Sequence, residues 1–266
     1  LFLNDIRSSL PEILSSPSGK RAKFSYYTGD MIENFHESLD YFKTYTLETI
    51  NLLINSKKRV AYDQIYVNKN GKDIKFENAS SGEKNLSILE LITAYFSKCY
   101  DFSNSFSSTI TNLIINGAVF ENLVMLQDYL KNKKTQNFMS IFIEEPEANL
   151  FPEKQKQIAY YLASLQKTKN APELILSTHS PYILTSVNNL LYASELVKQD
   201  QSLKEKVTEI IDDKFLLDAE NCSAYLIEGG VAKSIIDKET NLINADELDS
   251  VSGSIMQDFE RLMELQ

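Results

Sequence analysis

The sequence predicts an α/β fold built on a parallel sheet flanked by helices. Two short apolar runs carry this prediction, residues 138–143 (FMSIFI) and 174–176 (LIL). Each has the length of a strand and stops abruptly at polar residues, as strands buried on both faces of a parallel sheet do. Between them, residues 152–167 change to a helical period, with Ile158, Tyr161, Leu162 and Leu165 on one side. Strand, helix and strand in this order make a βαβ unit with a right-handed crossover.

The other elements follow along the chain. Residues 1–23 join an apolar opening to the breaker cluster SSPSGK at 15–20, so a short helix or strand leads into a loop. From 30 to 57, Phe35, Leu39, Phe42, Leu47, Ile50 and Ile54 recur at mostly helical spacing. Residues 59–76 then read as a hairpin: Val60, Tyr62, Ile65, Tyr66 and Val67 are strand formers, Asn70-Gly71 is a tight turn, and Ile74 and Phe76 lie on the returning strand. Leu86, Leu89, Ile92 and Phe96 mark one face of a helix over 83–100. A further helix is expected at 109–130, closed by the basic loop 131–134. After the βαβ unit, 189–217 alternates apolar and charged residues. Residues 224–236 form a hairpin around Gly229-Gly230, and 254–265 an amphipathic helix with Ile255, Phe259, Leu262 and Met263 on one side.

Composition narrows the function classes. The 266 residues hold 27 Lys plus Arg against 37 Asp plus Glu, a net charge of -10, which argues against a general cationic coat for nucleic acid or anionic lipid. Apolar residues at 43% exclude a disordered chain. Two cysteines and two histidines build neither a disulfide framework nor a four-ligand zinc site, which makes a reducing cytoplasm the simplest location. No apolar run reaches the roughly 18 residues of a spanning helix, and no basic segment precedes an apolar core at the start.

Three motifs carry chemistry. At Glu144-Glu145-Pro146-Glu147 a strand delivers carboxylates to the C-terminal edge of the sheet, where open α/β folds bind ligands. There one acid can hold Mg²⁺ and the next can polarise a water, although an acidic strand end facing solvent accounts for the pair equally well. At Ser177-Thr178-His179-Ser180-Pro181 the next strand ends in a histidine, which adjacent parallel strands would bring beside Glu145; it can contact a terminal phosphate or simply be a structural strand-end residue. At Ser80-Ser81-Gly82-Glu83 a small-residue loop opens a helix, a natural anion site. Taken alone, an ordinary serine N-cap accounts for that loop better.

In combination and in this order, the motifs resemble the C-terminal part of an ABC-type ATPase of the RecF, SMC and OLD-like group, over about residues 58–187. Residues 79–83 (ASSGE) resemble the signature motif, 141–147 (IFIEEPE) Walker B with its catalytic glutamate, and 177–181 (STHSP) the H-loop. Residues 144–152 (EEPEANLFP) are close to the EEPEAHLHP pattern of OLD-like defence ATPases, with Asn149 and Phe151 in place of two histidines.

The resemblance implies a P-loop NTPase fold of ABC type with a helical signature subdomain, ATP and Mg²⁺ as cofactors, and ATP hydrolysis. Glu144 would assist Mg²⁺, Glu145 would be the general base, and His179 would sense the γ-phosphate. Ser80, Ser81, Gly82 and Glu83 would address ATP bound to the opposite subunit of a head-to-tail homodimer. Residues 147–150 would be the D-loop. The domains expected are 1–57, a helical region and the end of an N-terminal lobe or insertion; 58–137, the signature subdomain; and 138–266, the Walker B and H-loop lobe with a C-terminal hairpin and helix. A role in DNA repair or antiviral defence, a nuclease or toxin partner, and DNA contact follow from the resemblance alone.

The sequence departs from the family pattern in one large respect: no G-x-x-x-x-G-K-[ST] occurs. The nearest candidate has Leu14 for the first glycine and Arg21 for the Mg²⁺-binding hydroxyl, so a phosphate loop is expected before Leu1. The alternative is a catalytically weak scaffold that holds a partner. A Toprim nuclease domain after Glu228 is not expected, since only 36 residues follow Gly230.

Overall fold

The structure, a computed structural model, describes residues 1–15, 23–57, 64–102, 139–244, 257 and 261–263. The expected helix at 109–130, the basic loop at 131–134 and most of the expected C-terminal helix lie outside the described residues.

The chain opens with β1 (Phe2–Leu3), a 3-10 turn (Asp5–Ser9) and α1 (Leu10–Ser15). Next come α2 (Tyr26–Phe42), four strands, β2 (Thr44–Leu47), β3 (Leu52–Lys57), β4 (Gln64–Lys69) and β5 (Lys72–Lys75), and α3 (Ser81–Ala94), which runs into a π turn (Tyr95–Cys99). The βαβ unit is β6 (Ser140–Glu144), α4 (Pro152–Ser164) and β7 (Glu173–Ser177), and α5 (Pro181–Gln199) and α6 (Lys204–Ile210) follow it. The hairpin β8 (Tyr225–Glu228) and β9 (Val231–Ser234) comes last, turned by Gly229 and Gly230, both at positive φ.

The site-bearing sheet has the order β1-β6-β7, with both pairings parallel. Its register sets Phe2 beside Phe142, Phe142 beside Ile175, and Glu144 beside Ser177. Ile141 and Ile143 face the core while Phe142 and Ile175 are 42% and 39% exposed. The run at 174–176 predicted a strand buried on both faces. Instead β7 alternates between exposed and half-buried residues, with Ile175 on the same exposed face as Phe142 of β6, and among the described residues no strand pairs with its other edge.

Sequence and structure also differ over residues 30–57. The helix ends at Phe42, where Lys43 turns to φ 56 and its N–H bonds back to the Leu39 carbonyl at 2.8 Å. Thr44, Tyr45 and Thr46 favour extended backbone, and Leu52 and Ile54 alternate inward at a strand period that the spacing of Leu47, Ile50 and Ile54 disguises. The result is a four-stranded antiparallel meander, β2-β3-β4-β5, in which β3 and β4 pair across the 57/58 division expected from the sequence.

α3 lies at the centre. The sequence predicted one apolar face, but Leu86, Ile88, Leu89, Leu91 and Ile92 are all buried, together with Asn85, Ser87, Glu90 and Thr93. Apolar residues all round mark an interior helix. Its buried polar groups are satisfied: Glu90 accepts from the Thr49 hydroxyl at 2.7 Å, the Thr49 N–H at 3.2 Å and the Glu48 N–H, which fastens the β2–β3 turn to α3. One apolar cluster runs from Leu3 through α2, the meander, α3, β6 and α4 to Ile183. Among the described residues no helix is long and apolar enough to cross a membrane.

Candidate functional site

The site grows from the ends of β6 and β7. Glu145 leaves β6 with its N–H still bonded to the Ser177 carbonyl at 2.9 Å, but its φ is 45. Left-handed backbone costs a non-glycine residue roughly 1–2 kcal/mol, so surrounding contacts must hold it there. The turn closes through Ala148 N–H to Glu145 O and Leu150 N–H to Glu147 O, each at 2.9 Å. Asn149 also takes φ 62, a conformation that asparagine tolerates better than most residues.

This backbone aims the Glu145 carboxylate at His179. Oε1 lies 3.2 Å from Nε2, with the imidazole largely exposed and the glutamate one-third exposed. Glu147 points inward and is 8% exposed. One of its oxygens accepts from the Thr178 hydroxyl at 2.6 Å and the His179 N–H at 2.9 Å, and the other is buried with no hydrogen-bond partner. Burial pushes the Glu145 carboxyl above the ordinary glutamate value. The Glu147 charge, and its capacity to accept from protonated Glu145, act in the same direction, while His179 opposes them.

The helix start at Ser80 sits on the far side of this turn. Ser80 caps α3 in a full capping box: its side chain accepts from Glu83 N–H at 3.3 Å, while its own N–H and hydroxyl donate to the Glu83 carboxylate at 2.9 and 2.8 Å. Lys69 lies 2.8 Å from the same carboxylate. Burial pushes Glu83 upward, but its bonds to Lys69 and Ser80 outweigh this and hold it below the usual range. Ser80 and Ser81 are exposed. Gly82 has no room for a side chain, since a Cβ there would lie 2.8 Å from the Asn149 carbonyl oxygen and 3.2 Å from Leu150 Cδ2.

Glu144, Glu145 and His179 therefore share one sheet edge, and Ser80, Ser81, Gly82 and Glu83 open a helix that rests on the turn after Glu145. Sequence reading missed the groups beneath that turn. Arg7 is fully buried, and two of its N–H bonds reach the Glu144 and Glu145 carbonyls at 2.8 and 2.9 Å. Asn85, also fully buried, donates to the Ala148 carbonyl at 2.7 Å and to Pro146 O at 3.4 Å. The available signal was slight: Arg7 is one of only four arginines in the chain.

Acids and a histidine gathered at the C-terminal edge of a parallel sheet stand where open α/β folds bind their ligands. The family model described as AAA ATPase domain matches residues 3–184, and the chain belongs to that family. The match spans all three sequence motifs together with Arg7. No curated protein matches the chain.

Proposed function

We propose that the chain is an ABC-type ATPase of the RecF, SMC and OLD-like group, whose nucleotide-dependent dimerisation drives a DNA-repair or antiviral defence complex. The observation that carries this reading is the Glu145–His179 pair, 3.2 Å apart on neighbouring parallel strands, inside a chain of the AAA ATPase domain family. Glu145 acts as the general base toward water, and His179 fixes the carboxylate and offers a donor at the γ-phosphate.

Glu144 suits Mg²⁺. Its carboxylate stands at the sheet edge opposite Ser177, and both are hard oxygen donors. Among the described residues no cluster of three or more His, Cys, Asp or Glu is arranged to hold a metal. Mg²⁺ takes one or two carboxylates and completes its shell with phosphate oxygens and water. When bound it neutralises charge on the phosphates. Ser80, Ser81 and Gly82 serve the nucleotide of the opposing subunit: their hydroxyls are exposed, and the helix dipole favours an anion there. The division at 137/138 separates the signature region from the lobe that carries Glu144, Glu145 and His179.

Glu145→Gln tests the reading. It should abolish ATP turnover and accumulate an ATP-bound dimer, read by phosphate release and by light scattering with and without ATP and Mg²⁺. The same experiment judges a scaffold that holds a nuclease or toxin partner, a reading favoured by the lack of G-x-x-x-x-G-K-[ST] in these 266 residues. Equal oligomer size in wild type and variant, with no turnover in either, selects the scaffold.

A further inference from the structure

The contacts of Arg7 set it apart from other buried cations. Its Nε donates to Asn85 Oδ1 at 2.8 Å, one terminal nitrogen to the carbonyls of Leu3 at 2.8 Å and of Asn4, and the other to Glu144 and Glu145. A buried charge ordinarily requires an opposite charge in contact. Here all five bonds go to one side-chain amide and four backbone carbonyls, while Asp5, Glu144, Glu147 and Glu145 act on the guanidinium through space. Burial draws it down to about 10, which leaves it charged at neutral pH.

Asn85 extends the arrangement. Its oxygen accepts from Arg7 and its amide nitrogen donates to Pro146 O and Ala148 O. Between them, two fully buried side chains occupy the carbonyls of Glu144, Glu145, Pro146 and Ala148, and Leu150 N–H occupies that of Glu147. Each carbonyl from Glu144 to Ala148 thus has a partner. The one non-glycine residue at positive φ between 144 and 148, Glu145, sits at its centre.

We infer that Arg7 and Asn85 are positioning residues that hold the left-handed backbone of Glu145 and thereby keep its carboxylate against His179. Their part in hydrolysis rests on the ATPase reading above. Their part in fixing the turn does not. Asn85 stands in the first turns of α3, whose N-terminus includes Gly82 against Asn149, so the helix start and the Glu145 turn are in direct contact at two points. A planar fork with five donors is needed, which a lysine cannot supply.

Asn85→Asp separates this role from simple packing. It keeps the acceptor for Arg7, and adds charge to it, but removes both donors to the turn. Arg7→Lys is the companion variant, since it keeps the charge and loses the fork. In the purified full chain, amides of residues 145–150 should exchange with solvent at least about tenfold faster in both variants, while those of 86–94 in α3 stay unchanged. kcat for ATP should fall at least about tenfold, with KM within about twofold of wild type. Unchanged exchange at 145–150 overturns the inference, as does faster exchange throughout α3, which marks a general fold defect. Wild-type protein without ATP turnover defeats the ATPase reading alone, and exchange at the turn still decides the clamp.

Discussion

At the residue scale, the chemistry turns on how one carboxyl is tuned. Glu145 is raised by burial first and by Glu147 second, and His179 only partly offsets them. As the general base proposed above, Glu145 must be ionised, so turnover should rise as pH climbs through this raised value. Glu147→Gln keeps an acceptor for Thr178 and the His179 N–H but removes the charge. The acidic limb of the pH–rate profile should therefore move to lower pH, and a limb that stays in place would show that Glu147 does not tune Glu145. Folding runs the opposite way with pH. The folded state retains a proton on Glu145 that the unfolded chain releases near 4.5, so the stability this group contributes is full below that pH and is lost as pH rises through the folded value. Urea melts across this range should show that slope flattened in Glu145→Gln.

At the element scale, α3 joins the fold to the site. Its start packs on the Glu145 turn through Gly82, and its middle fastens the meander through Glu90. A methyl at Gly82 would meet a backbone carbonyl, which cannot move aside without shifting the turn. Gly82→Ala should cost about 1–3 kcal/mol by denaturant melts and lower turnover, whereas Ser81→Ala, at an exposed position, should leave stability unchanged. The helical period of α3 was legible in the sequence, as was a serine N-cap at its start. Its central position was not, because Ser87, Glu90 and Thr93 read as a solvated face until Thr49, Tyr161 and the backbone supply their partners. The meander was half legible. Asn70-Gly71 marked its last hairpin, β4–β5, but the first, β2–β3, hid inside a spacing that suits a helix equally well.

At the scale of the whole molecule, stability is concentrated in the cluster shared by α2, the meander, α3, β6 and α4. β8 and β9 lie outside it, with Tyr225, Ile227 and Val231 all more than half exposed, and a two-stranded hairpin has little stability of its own. Amides of residues 225–234 should therefore exchange far faster than those of β6 and α3; protection equal to β6 would mean that this hairpin is covered in solution. The sequence by itself determined the parallel βαβ unit, the order of its motifs and the adjacency of Glu145 and His179, because a buried strand's apolar run and its polar end are local properties of the chain. Only the tertiary structure decided what holds that pair in place. Arg7, Asn85 and Glu147 act through carbonyls, amides and burial contributed by segments from 61 to 138 residues apart in several of these bonds, and no local pattern encodes such partners.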